Sequence, residues 1–228
     1  MHRAFVESHL LDQQTLDPQT LKRFKRVLRL ADGELVELFD GTGRVIRGVL
    51  KSNTLTDIQI LQIAPKGPVI QLYQALVSMD KLEEITQHAT ELGVSEIILF
   101  KSERSQVDFK DKITAKLERL TKIAQDASRQ CGRSDVPGVR FGNLTPGPDL
   151  CFLTTPTAKQ SLLSLLPSPV AGEGPGVRVL IGPEGGFSPQ EIEKFKAAGA
   201  IEVSLAPYVL RTETAGLAAL AQIQGACL

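Results

Sequence analysis

Side chains that bind metals or do redox chemistry are scarce in this chain. Its 228 residues include three cysteines and three histidines. Cys131, Cys151 and Cys227 are odd in number and far apart, and no C-x-x-C spacing suits zinc or a redox pair. They read as structural thiols in a reducing compartment. His2, His9 and His88 stand apart and form no H-E-x-x-H pattern, so no metal is expected. An excess of one charge is also missing, since 26 basic side chains balance 26 acidic ones and the net charge is zero. Overall charge therefore does not point to nucleic acid. No stretch approaches the roughly 18 unbroken apolar residues of a spanning helix. His9 and Asp12 fall where a signal peptide would carry its apolar region, so a cytoplasmic protein with no membrane contact is expected. A Walker loop, a G-x-G-x-x-G loop, internal repeats and low-complexity tracts are all absent. What remains is 42% hydrophobic and 23% charged, the composition of a globular protein that buries a core. The length suits one large domain or two unequal ones.

The first third reads as β structure. Residues 34–39 alternate, Asp40-Gly41 supplies a tight turn, 44–50 follow, and 56–63 alternate again, as in a small antiparallel barrel or sheet. Ahead of them Leu21, Phe24, Val27 and Leu28 recur at helical spacing until Gly33. Ala64-Pro65-Lys66-Gly67-Pro68 breaks regular structure and divides the chain into 1–68 and 69–228. Beyond it the period changes. An apolar run at 69–77 leads to a helix with Leu82, Ile85, Ala89 and Leu92 on one face, stopping at Gly93. A strand at 94–100, a helix through Ile113, Leu117, Leu120 and Ala124, a short strand at 150–153 and a helix at 160–166 follow. A Pro/Gly-rich loop at 167–176 precedes a strand at 177–181, a helix at 189–198, a strand at 201–205 and a last helix from Thr212. Alternating strands and helices predict an α/β fold with a mostly parallel sheet covered on both faces.

Two loops stand out. Gly182-Pro183-Glu184-Gly185-Gly186-Phe187 leaves a strand and enters a helix through Ser188-Pro189-Gln190-Glu191, which has the pattern of a capping box. In open parallel sheets ligands bind beyond the carboxyl ends of strands, and glycines let backbone approach a ligand. A plain structural turn would explain the same residues. The second loop, Leu205 through Ala215, also leaves a strand and enters a helix, and both would face one pocket. Glu213 suits a helix N-terminus whereas Arg211 does not. Either residue could be only a first-turn acid or a solvated loop cation.

These motifs, in this order, resemble the ribosomal RNA small subunit methyltransferase E (RsmE) family within the trefoil-knotted SPOUT methyltransferases. The likeness rests on residues 182–187 and 210–215, Glu91 to Ile97, Glu103-Arg104-Ser105, and Gln130-Cys131-Gly132-Arg133 with Pro137 beyond. In the first third it includes Val27-Leu28-Arg29-Leu30, Gly33 and Phe39-Asp40-Gly41. Two departures are visible. Leu205-Ala206 stands where the family usually has Leu-Gly, and Phe24-Lys25-Arg26 replaces a histidine often found before Val-Leu-Arg.

The resemblance implies a PUA-like β-barrel for RNA binding at 1–68. It implies a dimeric, knotted SPOUT domain at 69–228 that methylates N3 of a uridine in 16S ribosomal RNA, with S-adenosyl-L-methionine as cofactor and no metal. A non-catalytic RNA-binding protein and a SPOUT ribose 2′-O-methyltransferase are the competing readings. Such a site must align an in-line attack and help the uracil ring lose its N3 proton. Arg211, then Arg104, are the candidates to stabilise the resulting negative charge, and Glu184 or Glu213 to take the proton. Cofactor contacts fall to Thr154, Thr155, Ile181, Gly182, Pro183, Gly185, Gly186, Leu205, Leu210 and Thr212. RNA contacts fall to Lys22, Arg23, Lys25, Arg26 and Arg29, which have no acid among them, and to Arg104 and Arg133. The last two lie in a stretch, 101–133, with nine basic and five acidic residues. A solvated basic helix face is the alternative reading of 22–29.

Overall fold

The computed structural model describes residues 1–13, 16–109, 112–144, 149–166 and 176–227. Most of the loop expected at 167–176 therefore lies outside the described residues, as does the side chain of Cys227. The chain divides into two compact units, Met1–Pro65 with Gln125–Val136, and Lys66–Ala124 with Pro137–Leu228. The first unit thus includes a segment that sequence patterning alone assigns to the second region.

In the first unit β1 (His2–Phe5), β2 (Leu35–Phe39), β3 (Arg44–Lys51) and β4 (Thr54–Gln62) form one sheet in that order. β2 to β4 pair antiparallel, but β1 lies parallel to β2, with His2 opposite Val36. The sheet is therefore mixed. β1 has only four residues, too few to register as an alternating pattern. The hairpin between β2 and β3 turns on Asp40, whose Oδ1 accepts from the Thr42 N–H at 2.9 Å and the Thr42 hydroxyl at 2.7 Å. Gly41 and Gly43 both have left-handed φ, and a Cβ on Gly43 would sit 2.4 Å from the Ile63 carbonyl oxygen.

Two short helices, α1 (Ser8–Gln13) and α2 (Pro18–Lys22), precede β2. α2 is capped by Asp17, with Pro18 at its first position, and continues as a π-helical turn over Arg23–Val27. That turn shifts the helical phase by one residue. Phe24 is consequently in the core, while Val27, expected on the same face, is 66% exposed.

The charged centre of this unit is Glu37, buried on β2. It accepts from Arg3 Nε at 2.5 Å and Arg47 Nε at 2.8 Å. Arg3 also donates to the Arg133 carbonyl at 2.9 Å and lies over the Phe39 ring at 4.7 Å, which fastens 125–136 to the sheet.

The second unit is a six-stranded, all-parallel sheet. It is built from β5 (Ile70–Ala75), β6 (Glu96–Phe100), β7 (Gly138–Phe141), β8 (Leu150–Thr154), β9 (Val177–Ile181) and β10 (Ile201–Val203). The spatial order is β10-β8-β9-β5-β6-β7. On one face Ile70, Leu72, Ile97, Leu99, Phe152 and Val179 pack in the core shared with α3 (Met79–Glu91), α4 (Ile113–Cys131), α5 (Leu162–Leu165) and α7 (Thr212–Cys227). On the other, Tyr73, Ile98, Phe100, Leu153 and Leu180 pack with Phe195 and Ile192 of α6 (Pro189–Ala197). Burial on both faces is why these strands read as continuous apolar runs. β7 is an exception, since its residues are mostly exposed and it leaves no such signal.

Cys131 and Cys151 are free, and burial pushes the Cys151 thiol up to about 11, which keeps it inert. Among the described residues no helix is long and apolar enough to cross a membrane, and no group of three metal-ligating side chains is present.

Removing the Glu37 carboxylate leaves Arg3 buried without its anion. Glu37→Ala should destabilise the protein by about 3 kcal/mol. Urea unfolding would measure this, and a change within about 0.5 kcal/mol, the size of an ordinary surface substitution, would contradict it.

Candidate functional site

Strand order decides where the site lies. β9 sits between β8 and β5, so the loops leaving β8, β9 and β10, with that leaving β6, meet at one carboxyl edge of the sheet. The loop after β9 is a turn in which the Gly186 N–H donates to the Pro183 carbonyl at 2.8 Å, with Gly186 at φ 66. Phe187 then stacks with Phe100 at 6.3 Å and meets Phe195 edge-on at 5.3 Å, which anchors the turn to the sheet.

α6 begins with the expected capping box, Ser188 Oγ accepting from the Glu191 N–H. Its acid does more than cap. The Glu191 side chain, in a residue only 8% exposed, accepts from the Ser188 N–H at 2.9 Å, the Ser102 hydroxyl at 3.1 Å and the Glu103 N–H at 3.0 Å. This one carboxylate joins the loop after β6 to the loop after β9. Arg104 on the β6 loop closes the same seam by donating to the Gly185 carbonyl at 2.9 Å.

The loop after β10 is tied in at the start of α7. Thr212 Oγ1 donates to the Gly182 carbonyl at 2.6 Å and accepts from Gln74 Nε2 of β5 at 3.0 Å. Thr154 at the end of β8 donates to the Leu180 carbonyl at 2.9 Å. Ala206 does not adopt a left-handed φ, so alanine in place of the family's glycine meets no backbone penalty here.

Together these loops enclose a cavity of about 680 Å³. Thr154, Thr155, Ile181, Gly182, Pro183, Gly185, Gly186, Leu205, Leu210 and Thr212 all line it, as do Arg104, Glu184 and Arg211. Glu213 does not. It faces Lys81, whose ammonium is 2.8 Å from Glu184 and 3.6 Å from Glu213. The Arg211 side chain is exposed and makes no hydrogen bond or ion pair with another described residue.

Sequence reading missed Lys81, Pro156 and Thr157, which line the cavity, and gave no separate role to the side chain of Tyr208, which also lines it within the expected Leu205–Ala215 loop. Lys81 lies in the first turn of α3, where a single lysine carries no motif. Burial would raise the Glu184 carboxyl, but the Lys81 hydrogen bond, a backbone hydrogen bond and the Lys81 charge together outweigh it and hold the group below the ordinary glutamate range. The hydrogen bond between Lys81 and Glu184 likewise holds the Lys81 ammonium above the ordinary lysine range.

The expected RNA contacts are more mixed, and each is placed within its own unit. Lys22, Arg26 and Arg29 are exposed, the last at a left-handed φ of 55. Lys25 is bound to Asp32 at 2.6 Å, and Arg23 has its Nε buried. Arg133 is held by Asp135 and supplies its carbonyl to Arg3, so its guanidinium is committed within the first unit.

Residues 65–224 match the RNA methyltransferase domain family. The chain is 36% identical to ribosomal RNA small subunit methyltransferase E of Bacillus subtilis, over 98% of this chain and 96% of that protein. The chain belongs to the RsmE family. It is also 31% identical to the RsmE protein of Buchnera aphidicola subsp. Schizaphis graminum, over 88% of this chain and 85% of that one. The crystal structure of the Neisseria gonorrhoeae RsmE protein, bound to S-adenosyl methionine, is 28% identical. It superposes with a TM-score of 0.80 over 99% of this chain and 97% of that one. The family likeness extends through the first unit, because the Bacillus alignment covers almost the whole chain.

The Lys81 contact fixes a sign. Since the folded Glu184 value is depressed, its contribution to stability is present at neutral pH and is lost as pH falls through that depressed value. The raised Lys81 value places the opposite loss only at alkaline pH, as pH rises through it. Lys81→Met should therefore shift the Glu184 titration, followed by carbon NMR of the carboxyl, to higher pH. An unmoved midpoint would show that Lys81 does not hold Glu184.

Proposed function

We propose that this chain is an S-adenosyl-L-methionine-dependent methyltransferase that modifies N3 of a uridine in small-subunit (16S) ribosomal RNA. The observation that carries the reading is the cavity wall, in which every residue expected to seat the cofactor lies beside two arginines, in a chain of the RsmE family. The residues present fit that cofactor. A Cβ on Gly182 would lie 3.3 Å from the Phe187 ring, and one on Gly185 would lie 3.4 Å from Arg104, so the turn is packed from behind and offers backbone to a ligand. Ile181, Leu205 and Leu210 give apolar contact, and Thr154, Thr155 and Thr212 line the same wall.

Bound S-adenosyl-L-methionine supplies a methyl group already activated on a sulfonium. The chain must orient the uracil and favour loss of its N3 proton. Arg211, with no anion of its own among the described residues, is the group that meets the negative charge spreading to the uracil carbonyl oxygens. Arg104 is second, because one of its N–H groups is engaged by Gly185. Glu184, held by Lys81, is a weaker base than a free carboxylate, and Glu213 lies outside the cavity wall. The two acids thus serve mainly to set Lys81: the N3 proton passes to solvent water, the guanidinium stabilises the uracil anion left behind, and S-adenosylhomocysteine is released as the methyl group moves to N3.

The finer assignments belong to the same reading. Residues 69–228 form a trefoil-knotted SPOUT domain. Membership of the RsmE family supports this, and the insertion of β9 between two strands that precede it in the chain is compatible with it. Residues 1–68 act as a PUA-like RNA-binding domain, supported by the β-rich sheet and by the exposed Lys22, Arg26 and Arg29. α7, TETAGLAALAQIQGAC, carries one charged residue, Glu213, and is mostly small and apolar through its middle, which supports pairing of two copies in a cytoplasmic homodimer.

Isothermal titration with S-adenosyl-L-methionine should give saturable heat between micromolar and millimolar ligand, and no heat would overturn the enzyme reading. Arg211→Ala should keep cofactor affinity within about tenfold and cut turnover at least ~100-fold, as for a group acting in the transition state. Equal turnover would remove Arg211 from the chemistry. Neutralising Lys22, Arg26 and Arg29 should weaken RNA binding and flatten its log–log salt dependence by roughly 0.7 to 0.9 per lost phosphate contact. An unchanged slope would leave the cluster a solvated face.

A further inference from the structure

Tyr208 lies in the loop between β10 and α7, and its exposure needs a reason. The chain has two tyrosines and no tryptophan. Tyr73 is buried in the sheet, whereas Tyr208 is 83% exposed, with Val209 beside it at 77%. A tyrosine ring carries about 150–250 Å² of surface whose burial would be favourable. This one makes no hydrogen bond or ring contact with any described residue. Its loop is nevertheless fixed at both ends. Gln222 Nε2 donates to the Leu205 carbonyl at 2.8 Å, and the Arg211 carbonyl accepts from the Ala215 N–H at 2.8 Å. A pinned loop thus presents an unpartnered aromatic ring at the wall of the cavity that also holds Arg104 and Arg211.

We propose that Tyr208 is a stacking platform for an unpaired base of the RNA substrate, either the target uracil or its neighbour. The proposal rests on the methyltransferase reading above. Single-stranded RNA bases offer a flat π-face to aromatic side chains, and the phosphates and carbonyl oxygens beside them suit guanidinium groups. Both features occur together on this wall. A second copy seated face to face on the same patch would bring a second pair of arginines against the first, whereas RNA brings the opposite charge.

Because the chain has no tryptophan, Tyr208→Trp introduces the sole indole, and its fluorescence reports stacking directly. Adding a small-subunit ribosomal RNA fragment in the presence of S-adenosylhomocysteine should quench that emission strongly. Tyr208→Ala should raise KM for the RNA about tenfold to a hundredfold, the scale of one lost base–aromatic stack, while Kd for S-adenosyl-L-methionine stays within about threefold. Tyr208→Phe should rescue the RNA KM, since the ring and not the hydroxyl makes the contact.

No quenching by RNA, or an unchanged RNA KM in the alanine variant, would overturn the proposal. A matching rise in the cofactor Kd would overturn it in favour of a cofactor contact. Dissociation of a dimer by Tyr208→Ala in sedimentation would overturn it in favour of a second copy. If the parent protein transfers no methyl group to RNA, the methyltransferase reading fails, and the quenching result still decides whether Tyr208 meets a base.

Discussion

The site depends on one hydroxyl. Thr212 Oγ1, the first side chain of the C-terminal helix, donates to the carbonyl of Gly182, the first residue beyond β9, and accepts from Gln74 inside β5. Gln74 is fully buried and also donates to the Ala75 carbonyl, so the amide cannot turn away without leaving a buried donor unpaired. Three segments far apart in sequence are thereby held at one corner of the sheet. The Glu191 carboxylate does the same for the β6 loop. With both ties in place the glycine turn has a defined shape, and its backbone can serve as a recognition surface without distinctive side chains.

Charge is arranged so that the cavity's basic groups differ in availability. Lys81 is occupied by Glu184 and Glu213, and Arg104 is partly committed to Gly185. Arg211 alone among these three has no such partner within the described residues. The zero net charge of the chain conceals this, because the acids that balance the total are largely spent on particular bases. Glu37 faces Arg3 and Arg47, Asp32 faces Lys25, and Asp135 faces Arg133. The exposed Lys22, Arg26 and Arg29 have no such partner in the described structure, so local basic character survives within a neutral whole.

Much of this was legible in the sequence. β9 is bounded as expected because an apolar strand buried on both faces is conspicuous, and the Ser188–Glu191 cap has an explicit local pattern. The two loops were recognisable as neighbours at a sheet edge, and the expected cofactor residues share one wall. Other features were not legible, for identifiable reasons. β1 pairs parallel to a strand about thirty residues away, which no local pattern encodes. β7 is exposed and so lacks apolar contrast. The π-turn at Arg23–Val27 changes the helical phase, which misplaced Val27. Lys81 reaches its two acids across more than a hundred residues, and Arg133 is engaged by an aspartate two residues on, so only three-dimensional placement separates the two from free cations.

The account's central claim is transfer of a methyl group to a uracil nitrogen. Its most direct test is nucleoside mass spectrometry of small-subunit ribosomal RNA after incubation with the purified protein and S-adenosyl-L-methionine carrying a deuterated methyl group. The account predicts one labelled nucleoside, 3-methyluridine. Label in a ribose 2′-O-methyl nucleoside, or no label in RNA that the protein binds, would contradict it.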